Sequence, residues 1–163
     1  MSEASEAALL TIVVADFVNS ESGKVNIIGG GVSLIGYDPF QRTTSRFAVY
    51  AYAEIPARAL PAEIALELAL MTGDEVAVIA GPMGPQAIRV AQSQTVERAQ
   101  APISLALRDH VGGGAQIVLD FQNGLPLEPN TPYEFRLQID GDEQHELRYP
   151  IAVVGPPPGA VVG

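Results

Sequence analysis

A chain of 163 residues has room for one domain with a substantial core, whereas two domains would each be marginal. Its net charge is −10, and its nine Lys and Arg are scattered from Lys24 to Arg148, which speaks against both a nucleic-acid surface and an anionic membrane, since each needs clustered cations. With no cysteine, disulfides, thiolate nucleophiles and cysteine-held metals are excluded, and a charged fraction of 17%, against roughly 25% in an average domain, leaves apolar surface for a large core or a subunit interface.

Residues 1–8 read as an acidic arm. They are acidic where a secretory leader would be basic, and the apolar stretch behind them is broken by Asp16, so the expectation is a cytoplasmic origin without a signal peptide. Leu9 to Val18 is the first predicted strand, rich in β-branched residues, and Asn19 to Gly23 is its turn. Val25 to Ile28 resumes the strand. Gly29, Gly30 and Gly31 then interrupt it before Val32 to Tyr37, as expected of a bulge, a sharp bend or a close backbone approach.

Asp38 to Ser45 is a polar loop. Arg46 to Ile55 alternates, with Phe47, Val49, Ala51, Ala53 and Ile55 on one face and Tyr50, Tyr52 and Glu54 on the other. Ala62 to Met71 is rich in helix formers, yet Ile64, Leu66, Leu68 and Leu70 recur at period two with Glu63 and Glu67 opposite. The period predicts a strand. Gly73-Asp74 turns into Glu75 to Ala80, and Gly81 to Pro85 is a cluster of breakers. Ile88 to Glu97 and Ile103 to Leu107 are weaker strands around Pro102, and Gly112 to Gly114 is a second glycine loop before the strand Ala115 to Gln122.

The last part is the most legible. Leu127-x-Pro129-x-Thr131-x-Tyr133 leads into Phe135, Leu137 and Ile139, Asp140 to Glu143 forms a tight turn, and Gln144 to Val154 returns as the partner strand. Residues 155–163 form a Pro/Gly-rich tail suited to an extended polyproline form. About nine short strands separated by turn signals predict an all-β chain, a single antiparallel β-sandwich over residues 9–154.

Two segments resemble known families. Leu127 to Phe135 resembles the entry to the penultimate strand of immunoglobulin-like and fibronectin-type domains, which implies an immunoglobulin-like sandwich with Tyr133 as its tyrosine corner. Ala15-Asp16-Phe17-Val18-Asn19, followed by Gly23 to Gly31, is similar to a family of small actinobacterial sandwich proteins of unknown function. That resemblance implies a fold over roughly Leu9 to Val154 and no assigned activity.

The chain is poor in chemistry. His110 and His145 stand in loop or hairpin positions without a paired-histidine metal spacing, and neither glycine triplet leads into a helix N-terminus that would cradle phosphate. Asp140, Asp142 and Glu143 read as a solvated hairpin tip, with a hard cation as the alternative. Two features point to contact instead. Tyr50 and Tyr52 share an outer strand face, and tyrosines are enriched at interfaces. The tail offers Pro156, Pro157, Pro158, Val161 and Val162 as a further contact segment.

The expected function is therefore a non-enzymatic structural protein without a cofactor. It would bind itself or a larger protein assembly, such as a phage capsid that it decorates as a virion accessory. The alternatives are a ligand-binding module for carbohydrate or cation at loops such as Asp38 to Ser45, and an enzyme using carboxylates alone.

Overall fold

The computed structural model describes residues 2–100, 103–157 and 159, and these are overwhelmingly β. A short helix, α1 (Glu3–Ala7), opens the chain under a capping box formed by Ser2 and Ser5. There follow strands β1 (Leu9–Ala15), β2 (Phe17–Glu21), β3 (Lys24–Ile28), β4 (Leu34–Asp38), β5 (Thr43–Thr44), β6 (Phe47–Ile55) and β7 (Ala62–Thr72). After them come β8 (Glu75–Val76), β9 (Val78–Gly81), β10 (Gly84–Ala87) and β11 (Arg89–Val96). Helix α2 (Leu105–Arg108) precedes β12 (Gly113–Phe121), β13 (Thr131–Ile139) and β14 (Glu146–Val154).

Two sheets enclose one core. The smaller has the order β1-β6-β12, and the larger has the order β11-β7-β13-β14-β4-β5, with β8 added to β7. Alternation along β6 sends Phe47, Val49, Ala51, Ala53 and Ile55 inward, all essentially inaccessible. They meet Ile64, Leu66, Leu68 and Leu70 of β7 and Phe135, Leu137 and Ile139 of β13 in a single apolar cluster. Period two thus prevails over helix propensity across Ala62 to Thr72: a helix would spread those four aliphatics around its circumference, whereas a strand buries all of them. At about 25 cal/mol per Å² of apolar surface removed from water, this layer is the principal stabiliser of the fold.

The structure corrects four expectations. The described residues contain fourteen strand segments where about nine were predicted. Long runs are split: Asp16 breaks Leu9 to Val18 into β1 and β2, and the region after β7 yields three short segments. The sheets are not wholly antiparallel, because β14 and β4 pair in parallel through Ala152 to Val154 and Leu34 to Gly36. The expected acidic arm holds a docked helix, Glu3–Ala7, in which Ala4 and Ser5 are buried together with the C-cap Ala8. The strand predicted over Ile103 to Leu107 is instead α2, where the Ser104 side chain accepts from the Leu107 N–H as an N-cap. Leu105 and Leu107 are exposed, so no core face exists there to hold a strand.

The two outer faces differ in chemistry. On the large sheet, Glu67 binds Arg89 and also Arg136 at 3.0 Å, while Arg148 binds Glu134 at 3.1 Å and Glu146 at 2.6 Å. Burial pushes the Glu146 carboxyl up, and the hydrogen bonds from Arg148 and Gln138 with the charges of Arg148 and Arg136 outweigh it, leaving Glu146 below its ordinary range. The small sheet instead turns Val13, Tyr50 and Val118 outward in one cross-strand row. The β2–β3 hairpin folds over them, burying Val18 against Ala15 and Ala48.

Candidate interaction surfaces

Tyr50 and Tyr52 lie on the outer face of β6, with rings stacked at a centroid distance of 6.0 Å and an interplanar angle of 14°. Both are half-buried. Tyr52 lies directly over Gly114, where a Cβ would stand 2.3 Å from the phenolic oxygen, so the second glycine triplet supplies the flat backbone on which this ring rests. The pair is partly roofed by the domain itself: the β2–β3 hairpin reaches β12 through a hydrogen bond from Gln116 Nε2 to Ser20 Oγ at 3.0 Å. Burial raises both tyrosine pKa values, assisted at Tyr50 by Tyr52 and at Tyr52 by Glu54.

A more exposed surface comes from a segment in which the sequence showed only breakers. After β7, the chain turns at Gly73-Asp74 and β8 pairs back along β7 through Val76 and Glu75. β11 later occupies the same side of β7, starting at Arg89 opposite Ala69. Between them, β9 and β10 project as a separate two-stranded hairpin around the turn Gly81-Pro82-Met83-Gly84. The excursion closes at its base, where the Ile88 N–H donates to the Ala77 carbonyl at 3.0 Å. No charged residue occurs from Val76 to Ile88. Val78 is 59% exposed, Met83 is fully exposed, and all of β10 faces solvent. Val78, Ile79, Ala80, Gly81, Gly84 and Pro85 line an apolar groove of about 280 Å³. The readable signal was a long stretch without charge, a feature the chain shows also from Val25 to Tyr37.

A larger cavity lies at one end of the two sheets. It is an open cleft of about 590 Å³ between the loop joining β4 to β6 and the end of β12, and its lining includes Tyr37, Asp38, Gln41, Arg46, Gln122 and Asn123. Asp38 Oδ1 shapes the loop by accepting from the N–H groups of Phe40 at 2.8 Å and Gln41 at 3.2 Å. Arg46 is oriented by Asp120 at 3.1 Å and lies over the Phe17 ring. The polar loop read from the sequence at Asp38 to Ser45 thus lines this cleft.

The other residues singled out in the sequence are dispersed. The Tyr133 hydroxyl accepts from the Glu128 N–H at 3.0 Å, tying β13 to the connection before it. Gly29 and Gly31 adopt φ of +67° and +88°, and the bend brings the Gly31 and Val32 N–H groups onto the Val14 carbonyl. A side chain at Gly29 would strike the Asp16 carboxylate. Pro156 is held through its carbonyl by Asn130 Nδ2 at 3.1 Å, and Pro157 is exposed, whereas Pro158, Val161 and Val162 lie outside the described residues. His110 lines a polar cleft with Glu54, Arg58 and Asp109, and His145 Nδ1 lies 3.9 Å from Asp142 Oδ2. Both oxygens of Asp140 accept hydrogen bonds, from Ala65 N–H and from Ser2 Oγ. Among the described residues no group of three acidic, histidine or cysteine side chains converges to hold a metal, and no helix is long and apolar enough to cross a membrane.

The sequence profile of the Family of unknown function (DUF6941) matches residues 10–154. The chain belongs to this family. The matched span runs from β1 to the end of β14, so the hairpin and the cleft both lie within the family's domain. No curated protein matches the chain.

Proposed function

We propose that this chain is a non-catalytic interaction protein that docks on a larger protein assembly. The specific assembly proposed is a phage capsid, decorated in the actinobacterial host that the sequence resemblance implies. The observation that carries the reading is the β9–β10 hairpin, an uncharged apolar projection from a chain of net charge −10. Exposed apolar surface of this kind is unfavourable in water unless a partner covers it. The half-buried tyrosine pair adds a second surface of interface character. The Tyr133 hydrogen bond supports the finer reading of the fold as immunoglobulin-like.

The hairpin can be excised at its base, where Ala77 and Ile88 already meet, at the cost of the contact that Ile79 makes with the core. Replacing Val78 to Ala87 with an Asn-Gly turn is expected to leave the domain folded and to abolish docking. The measurement is size-exclusion of a tagged chain purified under native conditions from its own host, with phage particles present. The intact chain is expected in the particle fraction and the clipped chain alone. Intact and clipped chains eluting together would overturn the reading.

The cleft favours a second reading as a ligand-binding module. The side-chain amides of Gln41 and Asn123 line it and supply donors and acceptors together, which suits the hydroxyls of a neutral sugar. Titration with maltotriose, cellotriose and chitotriose, followed by amide NMR, is expected under this reading to shift residues 36–46 and 122–124. Shifts absent for all three up to roughly 20 mM, the regime of very weak binding, would remove it.

A further inference from the structure

We infer that the β9 edge of the hairpin is a self-pairing strand, joining two copies of this chain about a two-fold axis. The inference rests on the hairpin being a contact surface and names its partner as a second copy. It comes from which backbone groups the hairpin leaves free.

The register pairs Gly84 with Gly81, Pro85 with Ala80, Gln86 with Ile79 and Ala87 with Val78. In an antiparallel ladder, hydrogen-bonded and non-hydrogen-bonded pairs alternate. Pro85 has no N–H, so its pair with Ala80 is of the non-hydrogen-bonded type. The ladder then runs through Gly81–Gly84 and Ile79–Gln86. It follows that Val78 and Ala80 direct their N–H and C=O groups away from β10, toward the outer edge of β9.

The two edges of the hairpin are consequently unequal. Pro85 faces outward on β10 and removes a donor there, which blunts that edge against further pairing. The β9 edge has no such device. Val78 and Ala80 are both exposed, and neither carries charge. One open edge and one blunted edge permit a closed pair and forbid an open-ended sheet.

The geometry closes on itself. With the axis at Ile79, Val78 of one copy opposes Ala80 of the other, and each of these pairs exchanges both of its hydrogen bonds. Ile79, half-buried against its own core, stands opposite its own copy across the axis in the closer, non-hydrogen-bonded pairing. Charge is compatible with the same place. Two chains of net charge −10 repel each other over most of their surface, and the stretch from Val76 to Ile88, like Val25 to Tyr37, presents no carboxylate to oppose another copy.

Sedimentation velocity on the full chain tests this across about 5 to 200 µM, the range in which a short strand pairing of micromolar strength would appear. The intact chain is expected to pass from its 17.2 kDa monomer to a dimer. Ala80→Pro removes an outward N–H without touching the β9–β10 ladder and is expected to weaken the dimer at least tenfold. Val78→Glu provides a second variant that needs no backbone change, placing a like charge on each side of the axis, opposite Ala80 of the other copy, and it is expected to weaken the dimer similarly. Pro85→Val restores the donor on β10 and is expected to drive association beyond the dimer. Circular dichroism confirms that each variant keeps its β signature.

An intact chain that stays monomeric to 200 µM, the top of that range, overturns self-pairing, as does a dimer indifferent to both Ala80→Pro and Val78→Glu. The docking reading fails separately. If the intact chain is monomeric but only the clipped chain leaves the particle fraction, docking stands and self-pairing falls. If the intact chain is a dimer that Val78→Glu dissociates but never enters the particle fraction, self-pairing stands and docking falls.

Discussion

Gly124→Ala is expected to destabilise the fold by about 3–5 kcal/mol, among the largest effects of any single methyl group in this chain. Two costs add. Gly124 has φ of +69°, where an L side chain costs roughly 1–2 kcal/mol. A Cβ there would also stand 1.9 Å from the carbonyl oxygen of Thr44. That oxygen cannot retreat freely, because Thr44 is held on both sides: its N–H donates to the Leu125 carbonyl at 2.8 Å, and its Oγ1 accepts from the Leu125 N–H at 3.0 Å. The contact ties β5 to the connection between β12 and β13, directly beneath the polar cleft. Urea unfolding measures the effect as a lowered midpoint at unchanged slope. A loss below about 1 kcal/mol would show that this end of the sandwich relaxes around added volume.

Asp140→Ala is expected to cost about 2–4 kcal/mol, and Asp140→Asn about half of that. The carboxylate joins three parts of the chain. Oδ1 accepts from the Ala65 N–H at 2.9 Å, fixing the end of β13 to β7, and Oδ2 accepts from Ser2 Oγ at 2.8 Å, fixing the cap of α1. Asp140 also has φ of +53°, a conformation that aspartate and asparagine tolerate better than alanine. Asparagine keeps one acceptor and the backbone preference while losing the charge, hence the intermediate effect. The readouts are the unfolding midpoint and amide exchange at Ser5, whose N–H is capped by Ser2. Equal losses for both variants would mean that the charge, and not the geometry, holds the turn.

Much of the frame was legible before any coordinates. Alternation in Phe47 to Ile55 and in Ile64 to Leu70 identifies two central strands and their buried faces, because a strand exposes its period directly in the order of residues. Tyr133 was legible only through the resemblance of Leu127 to Phe135 to immunoglobulin-like domains, which implied a hydroxyl tied back to the preceding connection, and its partner there is Glu128. Ile103 to Leu107 shows the opposite case. Its apolar alternation looks like a strand, and only a missing sheet neighbour and the Ser104 cap decide for a helix.

The candidate surfaces divide in the same way. Residue order, composition and charge together determined that the chain is all-β, acidic, without thiol chemistry and supplied with more apolar surface than charge to cover it. They also marked Tyr50 and Tyr52 as sharing a face. Where apolar surface remains exposed was decided only by tertiary structure, because exposure depends on what packs above each strand. The β2–β3 hairpin folds back over part of the tyrosine face, whereas β9 and β10 leave the sheet and carry Val78 and the whole of β10 outward while Ile79 stays against the core. The asymmetry of that hairpin likewise needed the register. Pro85 blunts an edge only because it stands opposite Ala80, a pairing set by the turn and the base of the hairpin together.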